Sequence, residues 1–170
     1  MITKGAAMFR FQLVNRIPLL CVALTLATAP QLCASAEDAY EKQKVVYHLN
    51  EYGPEKQTAV LRNVQNHINA VGADNIELAI VMHGDGLSLL LYPDALSETK
   101  MKEANADDQM QARIAGLKQQ GVAFQVCANT LKGRDVDVDD LYDVDEADIV
   151  PSGVAEIAKL QAEGYTYLRP

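Results

Sequence analysis

Apolar and polar positions change their period several times along the chain, and each change marks an element. KVVYHLN, from Lys44 to Asn50, is a β-branched and aromatic run broken by Gly53 and Pro54, which predicts a buried strand. Val60, Val64, Ile68 and Val71 then recur at spacings of four, four and three, drawing one apolar stripe along a helix that ends at Gly72. NIELAIVMHG has an almost continuous apolar centre, as expected of a parallel strand covered on both faces. GLSLLLYP, residues 86–93, fits either a short buried strand or a helical turn, because periodicity does not separate the two at this length.

After a polar stretch, Met110, Ile114 and Leu117 mark a second helix stripe, stopped by Gly121. GVAFQVC is the next strand; Val122, Phe124 and Val126 share one face, leaving Ala123, Gln125 and Cys127 on the other. ANTLKG follows as one helical turn stopped at Gly133. ADIV predicts a short strand, and Pro151 with Ser152 opens a helix in which Val154, Ile157 and Leu160 or Gln161 lie on neighbouring turns. Gly164 ends it, and YTYLRP is a possible last strand. Strands and helices alternate with connections long enough for crossovers, so the fold class is α/β with a mainly parallel sheet.

The first 36 residues fall outside this pattern. They carry Lys4, Arg10 and Arg16, an apolar core from Ile17 to Ala29, and the small triplet Ala34, Ser35, Ala36. That layout predicts a secretory signal peptide over 1–36, cleaved after Ala36. Its apolar core is shorter than the roughly 20 residues a spanning helix needs, so no membrane anchor is expected after cleavage. The expected product is one domain, 37–170, exported to the periplasm. Cys21 and Cys33 leave with the signal, and Cys127 becomes the lone thiol, with no internal disulfide possible. The segment takes three of 15 basic residues and none of 23 acidic ones, leaving a net charge near −11. Nucleic acid and anionic membrane are poor partners for such a chain.

Candidate chemistry follows from topology, since sites in parallel sheets gather beyond the carboxyl ends of the strands. HLNEY, HGDG and CANT are the segments at those ends, and they bring His48, Asn50, His83, Asp85, Cys127 and Asn129 to one expected rim. A thiol where a strand hands over to a helix start meets free backbone N–H groups, which favour the thiolate. The opposing reading is a small buried hydrophobe that does no chemistry. Each histidine could assist the thiol or simply be hydrogen-bonded in place, and His67, off the helix stripe, is expected at the surface. No ligand pair has zinc-like local spacing, and no metal is assigned. DVDVDDLYDVDE puts Asp135, Asp137, Asp139, Asp143 and Glu146 at five positions of a calcium loop, but Asp140 stands where that loop's sharp turn needs glycine. A solvated acidic loop is the expectation there.

With these segments in view, the chain resembles the DsrE/DsrF-like family, in an exported single-domain form. The resemblance is carried by KVVYHLN, LRNVQNHINAVG, IELAIVMHGDGL, IAGLKQQGVAFQVCANTL and VPSGVAEIAKLQAEGYTYLRP, which together span nearly all of 37–170. It implies a three-layer α/β/α sandwich assembled into homotrimers or hexamers, and a turn or short helix for GLSLLL. It also implies sulfur carriage as a persulfide on the cysteine at the end of this strand, a position only Cys127 matches. Thiolate attack on a sulfur donor calls for no cofactor. Asn129 and neighbouring N–H groups would steady the anionic sulfur, with His83 or His48 assisting. The competing function is a non-catalytic oligomeric module that binds a small ligand at the rim, with Cys127 merely packed.

Overall fold

Residues 40–170 are described by a computed structural model; the expected signal peptide, with Cys21 and Cys33, lies outside the described residues. Strand β1 (Gln43–Leu49) runs into helix α1 (Pro54–Val71) through Gly53, and the fixed φ of Pro54 opens the helix. The Gly72 N–H closes α1 on the Ile68 carbonyl at 2.8 Å. Strand β2 (Ile76–Met82) leads through a 3-10 turn (Gly84–Leu89) and a long connection to α2 (Asp108–Lys118). The Asp107 carboxylate caps α2 by accepting the Met110 N–H at 2.8 Å. Strand β3 (Ala123–Cys127) passes directly into α3 (Ala128–Arg134), and β4 (Ile149–Val150), α4 (Gly153–Ala162) and β5 (Thr166–Leu168) complete the domain.

All five strands are parallel, in the order β4-β3-β2-β1-β5. Alternation divides their side chains between two cores. Tyr47, Ile80, Phe124 and Val126 meet the stripes of α1 and α2, where Val64 and Ile114 are fully buried. Val46, Ala79 and Val81 meet Ile157 and Leu160 of α4 on the opposite face. This is the expected α/β/α layering. The reason for the second layer lies in chain direction. The first four strands are laid down one way, each next to its predecessor, and α4 then carries the chain back from β4 to the far side of β1. A return crossover of the usual right hand must use the other face.

GLSLLL, whose local pattern left strand and turn open, is the turn that the family resemblance implies: its leucines belong to or follow the 3-10 turn, with Leu87, Leu89, Leu90 and Leu91 all fully buried. Gly86 lets this turn sit against the end of β1, since a Cβ there would lie 2.2 Å from the Leu49 carbonyl oxygen. Helix α3 does not stop at Gly133 but runs to Arg134, and Asp135 ends it in the left-handed region at φ 51°. In α4, Val154 is 65% exposed; the helix instead buries Gly153 and Glu156 beside Ile157 and Leu160. His67 is also better anchored than its place off the stripe suggests. Tyr47 Oη lies 3.1 Å from its Nδ1 and Gln43 Oε1 lies 2.8 Å from its Nε2, tying β1 to α1.

In the acidic run, Asp137 with Asp140 and Asp145 with Asp148 form two capping boxes on short 3-10 turns. Lys118 is paired with Asp143 and Asp148 at 3.2 and 3.5 Å. Several of these carboxylates are thus committed to the backbone or to a lysine. No described helix is long and apolar enough to cross a membrane.

Candidate functional site

The register brings the strand ends level: Leu49 lies beside Met82, and Met82 beside Val126. The next residues along β2 and β3, His83 and Cys127, turn toward the α4 face, where His48 already points. Gly153, the first residue of α4, is wedged among them. A Cβ on Gly153 would lie 3.1 Å from the His83 Cβ and 3.3 Å from the Cys127 Cβ, so the helix start approaches this closely only because the residue has no side chain.

The close approach delivers donors to the sulfur. Cys127 is 5% exposed, and that burial pushes its thiol pKa up. Hydrogen bonds from the Gly153 N–H, the Thr130 hydroxyl and the Thr130 and Asn129 N–H groups oppose this, and together they pull the thiol below its ordinary value. The sulfur is therefore sheltered, but by polar hydrogens.

His48 and His83 form a separate unit beside it. Their Nε2 atoms are 2.6 Å apart, and the His48 Nδ1 is 2.7 Å from the Tyr167 hydroxyl. One proton is shared between the two facing nitrogens, so two cationic rings would repel strongly in this arrangement. Burial, followed by the charges of His83 and Arg169, lowers His48 to about 4; burial and then Arg169 also lower His83. Both rings are thus neutral near pH 7. It is hydrogen bonding from Gly153, Thr130 and Asn129, and not an imidazolium, that lowers the Cys127 thiol.

The remaining rim residues are placed differently. Asp85 is bound to Arg134 at 2.6 Å. Asn129 contributes its backbone N–H, while its side chain is exposed. Asn50 has its Oδ1 buried without a hydrogen-bond partner. It lines a cavity of about 230 Å³ between β1, α1 and the C-terminal residues, together with His48, Glu51, Lys56 and Arg169. Glu51 joins both cations there, at 3.0 Å to Lys56 and 2.6 Å to Arg169. Among the described residues, no three His, Cys, Asp or Glu side chains gather as metal ligands would.

Sequence reasoning did not single out Thr130, Gly153, Tyr167 or Arg169. Gly153 could have been noticed, because glycine directly after a serine cap is a poor helix former used where a neighbour comes close. Tyr167 and Arg169 come from the last strand, and no local pattern connects them with His48.

Comparison with known proteins agrees with this architecture. No curated protein matches the chain. A protein of unknown function from Methanobacterium thermoautotrophicum, MTH1491, superposes with a TM-score of 0.61 at 28% identity, over 76% of this chain and 100% of its own. The ychN protein from E. coli superposes with a TM-score of 0.53 at 18% identity, over 77% of this chain and 100% of its own, a likeness of fold alone. The profile of the DsrE/DsrF-like family matches residues 44–170, from the first strand through both histidines and Cys127 to the last residue. With the parallel sheet, its two helical layers and the strand-end cysteine all inside that span, the chain belongs to the DsrE/DsrF-like family.

Proposed function

We propose that this protein is an exported sulfur carrier in which Cys127 accepts and hands on a sulfane sulfur as a persulfide. Membership of a family known in sulfur relay supplies the context. The observation that carries the reading is the setting of Cys127 at the end of β3, where Gly153 of α4 comes so close that a Cβ on it would lie 3.3 Å from the Cys127 Cβ, and where hydrogen bonding from Gly153, Thr130 and Asn129 holds the thiol below its ordinary value despite its burial. In loading, the Cys127 thiolate attacks the outer sulfur of a donor such as thiosulfate. A new S–S bond forms, the donor's S–S bond breaks, and sulfite leaves with its electron pair. In unloading, an acceptor thiolate attacks the outer sulfur and Cys127 departs as thiolate. No oxidant or reductant is consumed. Export rests on the layout of residues 1–36, and assembly into a homotrimer or hexamer rests on the family resemblance.

Incubation with thiosulfate or polysulfide followed by intact-mass measurement should add sulfur to the wild-type protein and none to Cys127→Ser. The absence of any adduct with every donor would overturn the carrier reading. The competing reading, a ligand-binding module with an inert cysteine, is favoured by the 5% exposure of Cys127 and the cavity beside Asn50. It expects native Cys127 to react with a small alkylating reagent only after denaturant is added, and Cys127→Ser to keep its ligand affinity.

A further inference from the structure

We propose that the cavity between β1, α1 and the C-terminal residues binds a small hydroxycarboxylate, its carboxylate held by Lys56 and Arg169 and its hydroxyl donating to Asn50 Oδ1. The inference requires neither that Cys127 carry sulfur nor that it be inert. The cavity holds about 230 Å³. That is below the roughly 300–1,000 Å³ of pockets that take drug-sized ligands, so its occupant is small. Its lining is sorted by exposure. Leu49 and Val60, 4% and 5% exposed, give it apolar wall. Asn50 Oδ1 is buried and has no hydrogen-bond partner among the described residues. Lys56 and Arg169 stand toward solvent, their side chains 70% and 48% exposed.

Each polar group restricts what fits. A buried carbonyl oxygen left unpaired costs stability, and the fold keeps this one beside a space large enough for a ligand. A side-chain amide oxygen only accepts, so an O–H or N–H is what completes it. That donor is uncharged, because an ammonium group would give up its hydration next to two cations. The cations set the other end of the ligand. They share one carboxylate, Glu51, at 3.0 and 2.6 Å. An ammonium carries three N–H donors and a guanidinium five, so each keeps donors for a second carboxylate after its bond to Glu51. A carboxylate, a short hydrocarbon body against Leu49 and Val60, and a hydroxyl together describe a hydroxycarboxylate of a few carbons.

The probes are lactate, 3-hydroxybutyrate and 6-hydroxyhexanoate, each titrated by NMR against its analogue without the hydroxyl. His48 lines the cavity and His67 does not, so the His48 ring signals should move on binding while those of His67 stay. At least one hydroxy acid should bind roughly tenfold more tightly than its partner. Asn50→Leu should abolish that preference. Having lost an unpaired buried oxygen, this variant should also melt no lower than wild type in the absence of ligand. Lys56→Gln and Arg169→Gln should weaken both members of a pair alike, since they act on the carboxylate that the two share.

Equal affinity within every pair, shifts at His67 in place of His48, or no binding by any probe at millimolar concentration would overturn the proposal. A preference that persists in Asn50→Leu overturns it too. The comparison within pairs uses the wild-type protein, so it decides the matter even where a variant does not fold. Sulfur uptake at Cys127 is read separately by intact mass, and failure there leaves the binding result standing.

Discussion

At the scale of residues, the site sets a buried thiol among neutral groups, and the contest is between desolvation and hydrogen bonding. Hydrogen bonding from Gly153, Thr130 and Asn129 outweighs the burial that opposes ionisation. The histidines obey a different balance and give a test of their own. His48 titrates at about 4 in the folded protein against an ordinary value of 6.5. Between these values the unfolded chain binds protons that the folded one refuses, so stability falls as pH drops through that window and the full contribution is present above it. His83 and His67, also lowered, act with the same sign. His48→Gln should therefore lose less stability than wild type between pH 7 and pH 5 in urea unfolding. Equal losses would show that the His48–His83 contact, with Tyr167 and Arg169 beside it, does not resist protonation.

The same scale shows what could be read from residue type. Cys127 and the two histidines were legible because few side chains of their chemistry exist in the domain and the strand-end rule groups them. Thr130 was not, because nothing local distinguishes a hydroxyl that meets sulfur from one that caps a turn.

Among the elements, those with a repeated apolar stripe were the clearest. Val60, Val64, Ile68 and Val71 of α1, and Met110, Ile114 and Leu117 of α2, are all buried, since a helix covering a sheet must put its stripe on it. Helix α4 departed from its pattern because proximity to Cys127 and His83 turned Gly153 inward and left Val154 outside. The 3-10 turn after β2 was ambiguous for a related reason: its leucines are buried on every side, which erases periodicity. Its position depends on Gly86. Gly86→Ala would set a methyl group against the Leu49 carbonyl and the Asn50 N–H, and is expected to destabilise by at least about 1–3 kcal/mol. A denaturation midpoint equal to wild type would mean that the turn can move off β1 at little cost.

For the whole molecule, strand order predicts where the fold opens first. Strand β2 is central and flanked by β1 and β3, whereas β4 has two residues and β5 three, each at an edge. Hydrogen exchange should be slowest at Ala79–Val81 and fastest in Thr166–Leu168. Uniform protection across all five strands would contradict this gradient. The alternation of strands and helices made the sheet class readable. The order β4-β3-β2-β1-β5 was not, because nothing in YTYLRP says which edge it will join; the pairing of Val46 with Tyr167 is a choice made by packing across the whole sheet.

That return crossover has a temporal meaning. A polypeptide that becomes available from its N-terminus presents its thiol well before α4 and β5 exist to surround it. Until the last turn of the topology closes, the sulfur lacks the Gly153 amide and His48 lacks the Tyr167 hydroxyl. The chemistry of this cysteine is therefore acquired late, as a consequence of finishing the fold, and an incompletely folded chain carries the nucleophile without the environment that tunes it.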